Sequence, residues 1–197
     1  ASAMRGVTDA LLEQALAAAR GEGARARRTL AELRTRHLDA AGLIAGPASD
    51  AVPDPAAPLV AAIEAACAEL GGLLDGLAAL ADVAPAVSDA VLARGERLSA
   101  RLLVAALDRL GVPAAYVDAC DVVHTDGRPG DAFPDLARTA AAARRVIAPL
   151  LARGTVVVVP GFLGAAPPTP PLPNAAATKG RRAAPGATLG RGGSDLT

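Results

Sequence analysis

Thr155-Val156-Val157-Val158-Val159-Pro160-Gly161-Phe162-Leu163-Gly164 decides the fold class. Five consecutive β-branched residues predict a strand buried on both faces, the pattern of a parallel sheet covered by helices. Pro160 to Gly164 predict a turn off the C-terminal end of that strand. Working backwards, Arg153-Gly154 stop a helix that Pro134 and Asp135 start and that runs through Leu151. Ala114 to Val117 read as a short strand, followed from Asp118 to Asp135 by a loop rich in Asp, Gly and Pro. Before it stands the best-defined helix. Val87-Ser88-Asp89 open it, with Val87 as staple and Ser88 or Asp89 as cap, and Gly111-Val112-Pro113 end it after Leu110. Helix, strand, helix, strand with connections of this length predict an α/β protein with a parallel, doubly wound sheet. Ligands of such sheets sit beyond the strand C-termini, where Gly161 to Gly164 and a second glycine turn, Gly190 to Asp195, would both lie.

Towards the N-terminus the pattern is helical throughout. Val7, Leu11, Leu12, Ala15 and Leu16 recur at helical spacing, and Arg20 with Gly21-Glu22-Gly23 ends that run. The small residues ahead of it look like the end of a strand. A second helix covers Arg25 to about Leu43, with Leu30, Leu33, His37 and Leu38 near one face; Pro47, Pro53, Pro55 and Pro58 form a break. A third covers Leu59 to Leu80, with Gly71-Gly72 as a candidate bend. Its charges (Glu64, Glu69, Asp75) are sparse, which predicts a largely covered surface. Together the two form a helical hairpin over about residues 24–82.

The 197 residues are 52% apolar with zero net charge, enough to bury a core, and carry no basic stripe. Phe133, Phe162 and Tyr116 are the only aromatics, so neither charge nor base stacking favours nucleic acid as a partner. Cys67 and Cys120 give no disulfide framework and read as buried thiols in a reducing compartment. The uncharged run 155–178 carries six prolines and is not a membrane span. No signal peptide is visible, and a cytoplasmic protein is expected. Nineteen arginines accompany a single lysine, Lys179. Lys179 lies in the low-complexity stretch 165–186, read as a solvated insertion in preference to a polyproline ligand.

Three places could do chemistry. Thr188-Leu189-Gly190-Arg191-Gly192-Gly193-Ser194-Asp195 combines a glycine turn, one guanidinium and a Ser-Asp helix start. That is either an anion-binding turn or a plain loop with an N-cap. Gly95-Glu96-Arg97-Leu98-Ser99 puts Leu92, Glu96, Ser99 and Leu103 on one stripe of a helix, and Arg94, Arg97 and Arg101 on another, solvated one. Glu96 either receives an ammonium group or pairs with a neighbouring arginine. Gly95 costs about 1 kcal/mol in a helix interior, so close approach of another element is expected there. Ser2, Thr8 and Asp9 cluster at the first helix start, where capping competes with carboxylate binding. Asp126 and Asp131 make a weak metal pair, and His37 and His124 read as structural.

Four segments, in order, resemble the amino-acid kinase domain of aspartokinases. They are Ser2-Ala3-Met4-Arg5-Gly6-Val7-Thr8-Asp9, Ser88 with Gly95-Glu96-Arg97-Leu98-Ser99, the Thr125 to Asp135 loop, and Gly161-Phe162-Leu163-Gly164 followed by Thr188 to Asp195; His37 also fits. The resemblance implies a three-layer α/β/α amino-acid kinase fold, partial and mostly parallel, with the helical hairpin inserted. It also implies phosphorylation of the β-carboxylate of L-aspartate with ATP and Mg²⁺, toward lysine, threonine and methionine, by a homo-oligomeric parent. By position, Thr8, Glu96, Arg191 and Ser194 would contact aspartate with Ser2 nearby. Glu96 would take the α-amino group, Arg191 a carboxylate, and Asp195 would organise the phosphate side as the catalytic residue. The family's Lys-Phe-Gly-Gly-Thr turn would precede Ala1, and its nucleotide half and regulatory domains would follow Thr197. Lys179 is a poor substitute for the turn's lysine, so 197 residues alone are expected not to turn over. Another amino-acid kinase with a different acid substrate, or a non-catalytic relative, are the rival readings.

Overall fold

The computed structural model describes residues 1–46, 57–167 and 186–189. Four long helices come first: α1 (Val7–Ala19), α2 (Gly23–Ala45), α3 (Ala57–Leu80) and α4 (Pro85–Arg109). Strand β1 (Ala114–Tyr116) comes next, then a 3-10 turn at Ala119–Asp121, helices α5 (Leu136–Val146) and α6 (Ala148–Leu151), and β2 (Val156–Val158). Strands β3 (Leu163–Ala165) and β4 (Gly186–Thr188) close the described chain.

β1 and β2 pair in parallel, Ala114 opposite Val156 and Tyr116 opposite Val158. The α5–α6 crossover joins them, as the order of elements requires. The other edge of β2 is occupied by the N-terminal residue. Ala1 N donates to Val159 O (2.6 Å) and Gly161 N donates to Ala1 O (2.8 Å), the alternation of a parallel ladder. α4 packs on both strands and α6 on β2. The chain thus has an α/β fold built on a small parallel sheet.

The larger core lies among the first four helices. Val7, Leu11, Leu33, Leu70, Leu74, Leu77 and Val91 form one cluster; Ala41, Leu59, Ile63, Leu98 and Leu102 form a second. The start of α2 therefore meets the end of α3 and the reverse, an antiparallel pair resting on α1 and α4. Arg34 and Glu64 add a bidentate ion pair across it.

Several expectations are corrected. α4 starts at Pro85 with Ala84 in the N-cap position, so neither Ser88 nor Asp89 caps it. Pro at the first helical position loses no bond, because its N–H would be unpaired anyway. Likewise α1 is preceded by Gly6 with no side-chain cap, which frees Thr8 and Asp9 from that role. Pro58 lies inside the first turn of α3 and not in the break; the prolines at 47, 53 and 55 fall outside the described residues. α3 passes through Gly71-Gly72 as one helix. Its outer face is not covered: Ala61, Ala65, Ala68, Gly72 and Gly76 are exposed. By length and composition alone α3 could cross a membrane, yet Leu59, Ile63, Leu70, Leu74 and Leu77 are buried against its neighbours. The helix expected through Leu151 breaks at Ile147, ahead of Pro149, although Asp135 caps its start by accepting from Arg138 N (3.0 Å).

β2 is shorter than its β-branched run and not buried on both faces, since Val156 is 41% exposed. The turn after it is made by Phe162, at φ 63°, and not by its glycines. Leu163-Gly164 instead enter β3, which pairs antiparallel with β4. Gly164 is there for space: a Cβ would stand 2.5 Å from Thr125 Cγ2 and 3.1 Å from Val123 Cγ1. Most of the Pro-rich stretch, 168–185, falls outside the described residues.

Candidate functional site

α4 carries the site. Its buried face runs Asp89, Ala93, Glu96 and Ala100, with Gly95, Leu98 and Leu102 beside it. This corrects the expected stripe at one end: Leu103 is 42% exposed, while Leu92 packs partly buried against the core.

Gly95 admits the N-terminal segment. A Cβ there would meet Val7 Cγ1 at 3.0 Å, Ala3 Cβ at 3.1 Å and Leu11 Cδ1 at 3.1 Å, so the expected close approach is that of the chain's own first residues. Ala3 is thereby set beside Glu96, where its backbone amide favours the ionised carboxylate. Ala1 is fixed at the C-terminal end of β2, so exposed Ser2 stands between the sheet edge and Glu96. Thr8 is exposed in the first turn of α1, next to Val7. With no side-chain cap, the start of α1 offers backbone N–H donors and a positive dipole end. The segment holding Ser2 and the first turn of α1 thus pass over the middle of α4, at Gly95, next to Glu96. Arg191, Ser194 and Asp195 lie outside the described residues.

Glu96 is 9% exposed, and its Oε2 has no hydrogen-bond partner among the described residues. Burial raises its carboxyl above the ordinary 4.5, against the opposing effect of the Ala3 amide. The pairing of Glu96 with a neighbouring arginine does not occur, because each candidate is engaged elsewhere. Arg94 donates to Glu69 (3.0 Å) and to Ala90 O (3.1 Å). Arg101 lies over the Tyr116 ring at 4.2 Å. Arg97 forms a fork on Asp118, Nε to Oδ2 at 2.8 Å and Nη2 to Oδ1 at 3.1 Å. The arginine row is therefore not simply solvated; it anchors α4 to α3 and to the end of β1.

Asp118 gathers four donors, adding the Tyr116 hydroxyl (2.8 Å) and Cys120 N (3.0 Å). Burial pushes its carboxyl up, but Arg97 and the two further donors outweigh that and hold it below the usual range. The Cys120 thiol beside it is pushed up to about 11, chiefly by burial, so it is not a nucleophile at neutral pH. His37 is buried with Nδ1 against Leu33 O (2.7 Å); burial lowers its pKa and keeps the ring neutral.

The Thr125 to Asp135 loop is pinned to the β3–β4 hairpin. Thr125 N and Oγ1 both donate to Ala165 O (2.9 and 3.0 Å), and Ala132 N donates to Thr188 O (3.2 Å). Asp126 accepts from Arg128 N and Phe133 N within this loop. No group of three His, Cys, Asp or Glu side chains that could hold a metal ion occurs among the described residues.

The residue that sequence reasoning missed is Asp89. It is 4% exposed, and its carboxylate accepts from Gly130 N (2.8 Å), Thr188 N (3.0 Å) and Thr188 Oγ1. A Ser-Asp pair near a helix start looks like a cap. The available signal was its spacing, two turns before Glu96 on the same face.

A helix-covered parallel sheet, with a buried acid on the helix packed against it, defines an α/β domain with a candidate small-molecule site. The chain belongs to the amino acid kinase family, whose pattern matches residues 1–197. Among its relatives, lysine-sensitive aspartokinase 3 of Escherichia coli is 35% identical over 134 residues, 66% of this chain and 26% of that protein. Chloroplastic aspartokinase 1 of Arabidopsis thaliana is 34% identical over 132 residues, 66% of this chain and 20% of that protein. The crystal structure of E. coli aspartokinase III with aspartate and ADP, in its R-state, superposes with a TM-score of 0.77 at 27% identity. The T-state complex with lysine and aspartate gives 0.76. Both matches cover 100% of this chain and 37% of the solved one, so the chain spans only part of its relatives' length.

Proposed function

We propose that this chain supplies the acid-substrate side of an aspartate kinase, an enzyme that transfers a phosphoryl group from ATP to the β-carboxylate of L-aspartate. The observation that carries the reading is the buried, unpartnered Oε2 of Glu96. A buried carboxylate oxygen without a donor is costly, and the ammonium group of an amino acid is a donor that would satisfy it. Ser2 near the sheet edge and Thr8 in the uncapped first turn of α1 supply hydroxyls, and that helix start supplies amides, suited to a carboxylate. Arg191 takes a second carboxylate through its fork, Ser194 adds a hydroxyl, and Asp195 orders the phosphate side. These last three assignments rest on the Gly190 to Asp195 sequence. The relatives' names and the aspartate in both solved neighbours support the choice of substrate.

ADP in one neighbour supports ATP as the phosphoryl donor. No group of three His, Cys, Asp or Glu side chains stands ready for a metal among the described residues, and Mg²⁺ would come with the nucleotide phosphates. The contribution of the described residues is positioning and charge complementarity, which is most of what a phosphoryl-transfer enzyme provides. The wider setting is that of the family: amino-acid biosynthesis toward lysine, threonine and methionine, in the cytoplasm, by a homo-oligomer.

The test uses the full-length protein in an aspartyl-hydroxamate assay with Glu96→Ala and Arg191→Ala. Each variant should lose about 100-fold or more in kcat/KM for aspartate, as expected when one partner of a buried charged contact is removed. Near-normal efficiency in both removes the assignment.

A further inference from the structure

The first four helices enclose a small cavity that the aspartate kinase reading does not use. α1 contributes Val7 and Leu11 to its wall, α2 His37, α3 Cys67, and α4 Arg94 and Gly95. The space open to the centre of a water molecule there is about 10 Å³, the size of a single-water site. Two polar atoms of the lining residues are unserved. His37 Nε2 and Arg94 Nε are buried, and neither has a hydrogen-bond partner among the described residues. The rest of each side chain is committed. His37 Nδ1 lies 2.7 Å from Leu33 O, an acceptor one turn back on its own helix. In a ring that burial keeps neutral, Nδ1 therefore carries the proton and Nε2 is a bare lone pair. Being on the opposite edge of the ring, Nε2 faces away from the backbone of α2. Arg94 uses Nη1 on Ala90 O and Nη2 on Glu69, which leaves its Nε–H.

The two orphans are of opposite kind. Arg94 Nε–H needs an acceptor and His37 Nε2 needs a donor, yet they do not bond each other. An anion in the cavity would serve only the first, and a cation only the second. Water offers an accepting lone pair and a donating hydrogen at once, and it fits the space. We propose that this cavity holds one resident water, which accepts from Arg94 Nε and donates to His37 Nε2. Cys67 Sγ, the remaining polar side-chain atom of the wall, is a weak acceptor for the second hydrogen. The bridge ties α2 to α4 at the residue before Gly95, where the N-terminal segment crosses. It stands whether or not Glu96 receives an ammonium group.

A crystal structure of the full-length protein resolving ordered water tests the site directly. One water should stand about 2.7–3.2 Å from both His37 Nε2 and Arg94 Nε. An empty cavity, a water bonded to only one of the two, or a direct bond between the nitrogens overturns the proposal. In solution, a double-mutant cycle of His37→Leu and Arg94→Met reads the tie through unfolding equilibrium constants from chemical denaturation. The cycle subtracts what Arg94→Met loses at Ala90 and Glu69. The double variant should be more stable than the product of the single effects predicts, by about threefold or more. The reason is that the second substitution removes an orphan that the first created. Single effects that multiply to within about threefold overturn the bridge. Should a variant not fold, the wild-type structure decides alone.

Discussion

Glu96 holds the central difficulty of this fold, a carboxylate placed mid-helix, shielded from water and eased only by the nearby Ala3 amide and the N-terminal charge. Its position is legible in the sequence, since an acid on a helix face that packs inward needs a partner. The identity of its surroundings is not. The alanines beside it and the Ala3 amide come from tertiary packing, and the competing arginines are drawn off by Glu69, Asp118 and Tyr116, none of which a helical wheel can show. The chemistry has a consequence in pH. Because burial raises the Glu96 carboxyl, the folded protein without substrate favours the protonated acid more than the unfolded chain does. Stability from this group is therefore present below the unfolded value and falls as pH rises from there through the folded one. Glu96→Gln should be at least as thermally stable as wild type at neutral pH without substrate. Saturating aspartate should raise the melting temperature of wild type and not of the variant. A variant markedly less stable than wild type, yet still protected by aspartate, would contradict this account. The aspartate KM of wild type should also rise as pH drops below the raised value, because only the ionised acid can receive an ammonium group.

At the level of elements, α4 connects every part of the site. Gly95 admits the N-terminal segment, Arg97 grips Asp118 at the end of β1, and Asp89 holds β4. Residue pattern locates this helix and its Gly111 stop well, and the expected closeness at Gly95 is realised. The start is misplaced, because Ser88-Asp89 has the composition of a cap while Pro85 has the geometry of one. The β-branched run implies a longer, deeper strand than β2, since residue type reports strand preference but not how many neighbours arrive to cover it. Gly95→Ala tests the helix as organiser. Helix propensity alone would make alanine stabilising by about 0.5–1 kcal/mol. Three contacts of 3.0–3.1 Å, from α1 and the segment before it, mean overpacking should win instead. The net loss should be about 1–2 kcal/mol, and chemical denaturation measures its sign. The same variant should weaken aspartate binding, because displacing Ala3 removes its amide from Glu96. A more stable protein with unchanged aspartate affinity would show that the N-terminal segment is not seated there.

Across the whole molecule, strand and helix order conveys the α/β class, because parallel pairing through a helical crossover is dictated by connection length. The antiparallel β3–β4 pair does not show itself in the same way. Its two halves flank a low-complexity stretch, and the residues that pair, Leu163-Gly164-Ala165 with Gly186-Ala187-Thr188, carry little β-branched character. The exposed small-residue face of α3 is equally hidden, since sparse charge suggests cover whereas alanine and glycine are tolerated on either side. The parts are united where the N-terminal residue reaches the C-terminal end of β2 and α4 packs on that strand, the end at which parallel sheets bind ligands. The measurement that tests this most directly is calorimetric selectivity of the full-length protein for aspartate over succinate, the same dicarboxylate without the ammonium group, in wild type and Glu96→Ala. Wild type should prefer aspartate by about 100-fold or more, and Glu96→Ala should bind the two within about threefold. Full selectivity retained in the variant would contradict the claim that Glu96 is the ammonium receptor.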